Sequence, residues 1–170
     1  MKAKHHILLI LIGLPLLFSA AFASKADAIK GKVMQVKDGD TAVIAPIEGG
    51  QFFICRLYGI DAPEIGHNGR SGQQYGSESE TALKNLVLGQ EVSIEVRDRD
   101  KYGREVCIIR KDGRDINKEM IVKGAAWAYR KYLKPPYAAE YIEAEGEAKA
   151  KRHGLWQQNY PEAPWEFRKR

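Results

Sequence analysis

Short β-rich runs cut by glycine-containing turns follow one another from residue 29 onward, and they constrain the fold more than any other feature. Residues 31–36 and 41–45 flank Lys37-Asp38-Gly39-Asp40, and residues 51–58 (QFFICRLY) follow Glu48-Gly49-Gly50. Such turn signals suit tight reversals, so the three runs read as an antiparallel meander. Ser77-x-x-Glu80 then offers a capping box for a helix whose apolar stripe is Ala82, Leu83, Leu86 and Val87, with Gly89 ending it. Val92, Ile94 and Val96 alternate with Ser93, Glu95 and Arg97 as a half-buried strand does, and residues 104–110 form a fifth strand turned by Lys111-Asp112-Gly113. Two more helices are predicted over about residues 116–126 and 137–152, the last stopping at His153-Gly154 despite Gly146 in its interior. The order βββαββαα predicts an α+β, mainly β fold, a five-stranded closed barrel of the oligonucleotide-binding type (OB-fold) with about three packed helices.

Length and composition suit one folded domain. The chain has 170 residues, 44% hydrophobic and 29% charged, and no repeat, low-complexity tract or long Gly/Ser linker divides residues 29–164. Net charge is +5, but Lys2 and Lys4 lie in an acid-free leader, which leaves 25 bases against 22 acids elsewhere. So small an excess does not establish nucleic-acid binding, which has to rest on a local constellation. Two cysteines exclude a disulfide-dense scaffold and a tetrathiolate zinc site.

The leader itself has a positive start, MKAKHH, then a 12-residue apolar run (ILLILIGLPLLF), then Ala21-x-Ala23. An apolar segment too short for about 30 Å of hydrocarbon, followed by small residues, predicts a signal peptide over residues 1–23, cleaved after Ala23. Ala26-x-Ala28 is a second cleavage option, and an uncleaved anchor over residues 7–23 is the alternative to cleavage. Residues 24–170 are then expected as a single exported domain, periplasmic or secreted, with a core over about 29–156 and an extension over 157–170. No stable membrane association is expected after cleavage, and a monomer is expected.

Asp38-Gly39-Asp40-Thr41 alone reads as a hairpin turn, and Asp61-Ala62-Pro63-Glu64 as the start of a loop. Together they place hard oxygen ligands just beyond predicted strands, the donor type that holds calcium or magnesium. The histidines outside the leader, His67 and His153, are far apart and have no cysteine at ligand spacing, which argues against a soft-metal site. Arg56 stands in an otherwise apolar strand, where a guanidinium is either paired with Asp40 or Asp61 or binds something else. Arg104, in Asp100-Lys101-Tyr102-Gly103-Arg104, is either a solvated strand end or the second half of a phosphate clamp, since guanidinium matches phosphate bidentately.

DGDT, RLYGIDAPE and DKYGR, in this order and at these intervals, resemble the staphylococcal nuclease (thermonuclease) family from about Ile29 to Trp156. PEAPWEFRK, over residues 161–169, resembles the extension of its secreted bacterial members. The resemblance implies a calcium-dependent endonuclease that hydrolyses phosphodiester bonds of DNA and RNA with little sequence specificity. Single-stranded or unstacked substrates and 3′-phosphate products are part of the same implication. It further implies calcium on Asp40, Asp61 and the Ala62 carbonyl, an attacking water handled by Glu64, and phosphate held by Arg56 and Arg104. Lys101 and Tyr102 match positions near the nucleotide phosphate and sugar, and Trp127 and Tyr129 positions of aromatics beside the nucleotide. The sequence departs from the staphylococcal enzyme at Ala62, where a threonine is replaced, and in HNGRSGQQ (67–74), whose one base is Arg70 where more lysine is usual.

Two other readings compete. A non-catalytic nucleic-acid-binding module of the same barrel is disfavoured because Asp40, Asp61, Glu64, Arg56 and Arg104 are all present. A glycosidase with paired carboxylates is disfavoured by the two arginines. Strand alternation puts Cys55 and Cys107 on the face opposite Arg56 and Arg104, in the barrel core, where a disulfide or two free thiols would fit.

Overall fold

The fold is described from a computed structural model that covers residues 28–66, 69 and 71–170. The leader, its cleavage site and the anchor alternative lie outside the described residues, as do His67 and Arg70. Five strands close the barrel: β1 (Ile29–Asp38), β2 (Thr41–Pro46), β3 (Phe53–Leu57), β5 (Glu91–Arg99) and β6 (Glu105–Lys111), with the two-residue β4 (Ile60–Asp61) between β3 and β5 in sequence. Their order is β3-β2-β1-β5-β6, every neighbouring pair antiparallel, and a parallel β3–β6 ladder joins the ends. Closure removes the exposed edges that an open sheet of this size would carry. The expected barrel and its order of strands are therefore present.

Alternation places Val92 and Ile94 of β5 inside, whereas Val96, the last residue in register before a shift that separates it from Asp98, is exposed, contrary to expectation. Leu83 and Val87 of α1 (Gly76–Val87), Met120 and Ile121 of α2 (Ile116–Val122), and Tyr141 and Ala144 of α3 (Tyr137–Ala150) share one apolar cluster with Val33, Ile44 and Ile94. Two-residue pairings β7 (Arg114–Asp115) and β8 (Trp127–Ala128), a 3₁₀ turn over Gly154–Gln157 and a C-terminal α4 (Pro164–Phe167) complete the described elements. These are too short to carry a periodic signal. No helix among the described residues is long and apolar enough to cross a membrane.

The capping box does not form. α1 starts at Gly76, its cap is Tyr75 in the left-handed region without a side-chain bond, and Ser77 is already inside the helix. The helix begins early because it is pressed against the loop after β4: a Cβ on Gly76 would lie 2.3 Å from the Glu64 carbonyl oxygen. α2 ends at Val122 rather than near 126, since Gly124, at φ 63°, lies against the backbone of His153. Cys55 and Cys107 both lie in the core as free thiols. The β3–β6 register pairs Cys107 with Leu57, so the two cysteines sit on a diagonal, which in a regular ladder spans about 7 Å or more. Burial, with the Cys107 thiol beside it, pushes the Cys55 thiol well above its ordinary range, which disfavours the thiolate needed for exchange.

Candidate active site

The β1–β2 hairpin supplies the first carboxylates. Asp38 pairs with Thr41, which leaves Gly39 and Asp40 as the two-residue loop, and Asp38 Oδ1 accepts the Asp40 N–H at 3.0 Å. Gly39 lets this loop touch α1 and the β4 loop, for a Cβ there would meet Ser79 Oγ at 1.9 Å and Ala62 Cβ at 2.7 Å. The β2–β3 register sets Arg56 opposite Thr41 and thus beside Asp40. Arg56 spans both expected metal ligands: Nη1 is paired with Asp40 Oδ1, and Nη2 with Asp61 Oδ1 at 2.6 Å. Asp40 Oδ2 accepts the Ala62 N–H at 2.7 Å, which ties the hairpin to the β4 loop. Both carboxylates are removed from solvent, with relative exposures of 3% for Asp40 and 0% for Asp61.

The parallel ladder sets Val106 opposite Arg56, so Arg104, two residues before Val106, faces the same side of the barrel. Asp100 orients it: Oδ2 accepts from Arg104 Nε at 2.7 Å and Oδ1 from the Arg104 backbone N–H at 3.0 Å. Slight burial raises the Asp100 carboxyl, but the Arg104 side chain and the backbone N–H groups of Arg104 and Tyr102 outweigh it and hold Asp100 below its ordinary range. The β4–β8 pairing, Asp61 opposite Trp127, brings the segment after β8 alongside, and the fully buried Glu145 of α3 anchors that segment by accepting the Ala128 N–H at 3.0 Å.

A groove of about 900 Å³ gathers these side chains, with Asp40, Arg56, Glu64, Lys101, Tyr102, Arg104 and Tyr129 in its lining, and Asp61 buried beneath. Ala62 lines it as well. Trp127 is not among the lining residues. Its ring packs edge-on against Trp156, centroids 4.3 Å apart, and against Trp165 at 5.5 Å, and this aromatic cluster is where its apolar surface goes. Tyr132 takes the second aromatic place in the groove, edge-on to Tyr129 at 4.8 Å. A pattern of three aromatics at 127, 129 and 132 was present in the sequence, but only packing tells which faces the groove. Glu145 and Arg168 also escaped the sequence reading.

Residues 54–158 match the family described as staphylococcal nuclease homologue. This chain belongs to that family. A micrococcal nuclease of Shigella flexneri is 36% identical over 149 residues, covering 82% of this chain and 80% of its own length. A Haemophilus influenzae protein named as an uncharacterized endonuclease is 32% identical over 161 residues, covering 95% of this chain and 85% of its own. The protein is a nuclease, a hydrolase acting on nucleic acid.

The nuclease site has a charge imbalance that bears on metal binding. Among the described residues no group of three or more His, Cys, Asp and Glu converges as a metal cage. Two buried carboxylates nevertheless surround one guanidinium, and a second guanidinium, Arg168, binds Asp61 and Glu64, so three carboxylates stand against two guanidiniums. Every donor is a hard oxygen, and the cluster attracts a further positive charge, so these residues fit a hard divalent cation.

Proposed function

We propose that this nuclease is a calcium-dependent endonuclease that cleaves DNA and RNA with little sequence specificity, prefers single-stranded or unstacked regions, and leaves 3′-phosphate ends. The observation that carries this reading is the convergence of Asp40, Asp61 and Glu64 with Arg56 and Arg104 at one groove. Calcium held by Asp40, Asp61 and the Ala62 carbonyl would supply neutralisation of the charge that grows on the phosphate.

Arg104 binds a non-bridging phosphate oxygen. Its Nε is occupied by Asp100, which sets the plane of the guanidinium and leaves the Nη edge for substrate. Arg56, fixed at both Nη atoms by carboxylates, presents a charge that needs no reorganisation when the equatorial oxygens become more negative. Glu64, on the groove wall and partly exposed, takes the proton of the attacking water, and the 5′-oxygen leaves. Tyr132, and Tyr129 on the side that the stacked Trp165 ring does not cover, offer aromatic surface to bases, a contact that any base satisfies and that needs the base unstacked. Recognition then rests on phosphate and stacking, which carry no sequence information.

The test is purified protein with heat-denatured DNA, with calcium or with chelator. Cleavage that stops in chelator and returns with calcium is expected, and cleavage indifferent to chelation would falsify the metal assignment. Products that a polymerase extends only after treatment with a 3′-phosphatase are expected as well. We further propose a single exported domain of residues 24–170, released by cleavage after Ala23. Intact mass of the exported protein tests this, and a full-length product held in membranes would favour the anchor.

A further inference from the structure

The C-terminal extension ends on the carboxylates of the active site. Gln73 Nε2 donates to the Glu162 carbonyl at 2.6 Å, and α4 buries Pro164. Trp165 stacks on Tyr129, with centroids 5.1 Å apart and planes 1° apart. Arg168, one residue beyond α4, then reaches the cluster. Its Nη2 donates to Asp61 Oδ2 at 2.7 Å, and its Nη1 to Asp61 Oδ1 at 3.1 Å and Glu64 Oε1 at 2.5 Å. One guanidinium thus takes both oxygens of a fully buried aspartate and one of the glutamate beside it. This is unlike a surface ion pair, which long side chains make and lose in water at little gain. Here the pairing is bidentate and one partner has no access to solvent.

Arg168 holds the two carboxylates that the reading above assigns to calcium and to the attacking water. Arg56 occupies Asp61 Oδ1 and Arg168 takes the remaining Oδ2, so a divalent cation on Asp61 competes with Arg168 for that oxygen, and like charges repel. We propose that Arg168 is the resident counter-ion of this site, that a divalent cation has to displace it, and that the extension thereby lowers the site's cation affinity. The proposal rests on the calcium reading. Displacement of one side chain frees Asp61 as a ligand and Glu64 as a base together, so Arg168 is a positioning residue that couples the two. Trp165 on Tyr129 keeps the extension seated where Arg168 reaches.

Calorimetric titration of calcium into the mature full-length protein, without substrate, measures the effect. Arg168→Ala is expected to bind calcium about tenfold more tightly than the unaltered protein, since a competing state is removed. Arg168→Lys is expected in between, because an ammonium lacks the fork that takes three oxygens at once, and it serves as the folded control because it keeps the charge. Thermal midpoints give a second readout. Arg168→Ala is expected to melt below the unaltered protein in chelator, where Asp61 has lost a partner, and level with it in saturating calcium, where Arg168 is already displaced. Equal or weaker calcium binding by Arg168→Ala would overturn the proposal and leave the calcium reading standing. A midpoint difference that persists in saturating calcium would do the same, by showing a merely structural contact. Absence of calcium binding by all three proteins would overturn both.

Discussion

Two buried polar centres meet the chain at the end of β3, one through Arg56 and one through the Tyr58 carbonyl, and differ in how their hydrogen-bonding capacity is closed. Asn117 of α2 donates from Nδ2 to the carbonyls of Tyr58 at 3.0 Å and Cys107 at 2.9 Å, and its Oδ1 accepts the Ile109 N–H at 3.1 Å. Every partner is neutral backbone, so nothing at that centre is left to react. At the Asp40–Arg56–Asp61 centre the partners are ionised, and one guanidinium serves two carboxylates. Neutral saturation fixes architecture, tying the end of β3 to β6 and α2. Surplus negative charge leaves a centre that is complete only with another cation, and a replaceable cation is what phosphate chemistry needs.

The sharpest way to break this contrast is to alter each centre and ask which property falls. Arg104→Ala is expected to have the largest effect, a loss of about 10²–10³ in kcat, as for removal of one donor that stabilises transition-state charge. Arg104 is partly exposed and its carboxylate partner is the neighbouring Asp100, so the thermal midpoint should move by no more than about 2 °C. Single-turnover cleavage and a melting curve on the same preparation check this. A variant that unfolds, or one that keeps full activity, would erase the distinction between the centres.

Asn117→Ala should behave in the opposite way. It leaves the Tyr58 carbonyl and the Ile109 N–H without this partner inside the core, while the Cys107 carbonyl keeps the Tyr58 N–H at 2.7 Å, and a loss of about 2–3 kcal/mol of stability is expected. Urea unfolding measures it, with cleavage per folded molecule unchanged at concentrations below the transition. A loss of activity in a folded Asn117→Ala would show that the two centres are coupled.

The barrel was legible because its signals are local: glycine-containing turns and alternation in runs such as residues 92–95 do not depend on distant residues. The five charged side chains at the groove were legible because the spacing from Asp40 to Arg104 lies on those same strands and loops. What stayed hidden depends on distance. Arg168 meets Asp61 across 107 residues and Glu64 across 104, and no periodicity links an extension to a site that far back. Trp127 and Tyr132 could not be sorted without Trp156 and Trp165, which claim the Trp127 ring. Ser77 has the composition of a cap, yet close packing of Gly76 on Glu64 moves the start of the helix ahead of it.

The smallest expected effect concerns two aspartates, one near each centre, whose carboxyl groups are shifted in opposite directions. Asp115 caps α2, the helix that carries Asn117: its Oδ1 accepts the Lys118 N–H at 3.0 Å, and both oxygens accept from the Tyr141 hydroxyl at 3.0 Å. Burial raises the Asp115 carboxyl above its ordinary 3.8, although the Lys118 N–H, the Tyr141 hydroxyl and Arg110 pull it down. A carboxyl raised on folding holds its proton more firmly in the folded state, so stability falls as pH rises from the unfolded value through the folded one. Asp115→Asn keeps an oxygen to cap the helix and cannot ionise. Urea midpoints from pH 4 to 7 should therefore show the unaltered protein losing stability relative to Asp115→Asn as pH rises. Asp100→Asn, at the groove, should show the reverse trend in a second series below about pH 4, because Asp100 is held below its ordinary 3.8 and its contribution is lost as pH falls from the unfolded value through the folded one. Trends of the same sign in both variants would mean that the burial of Asp115 is fully offset by its hydrogen bonds, and the two sides of the barrel would then treat their carboxylates alike.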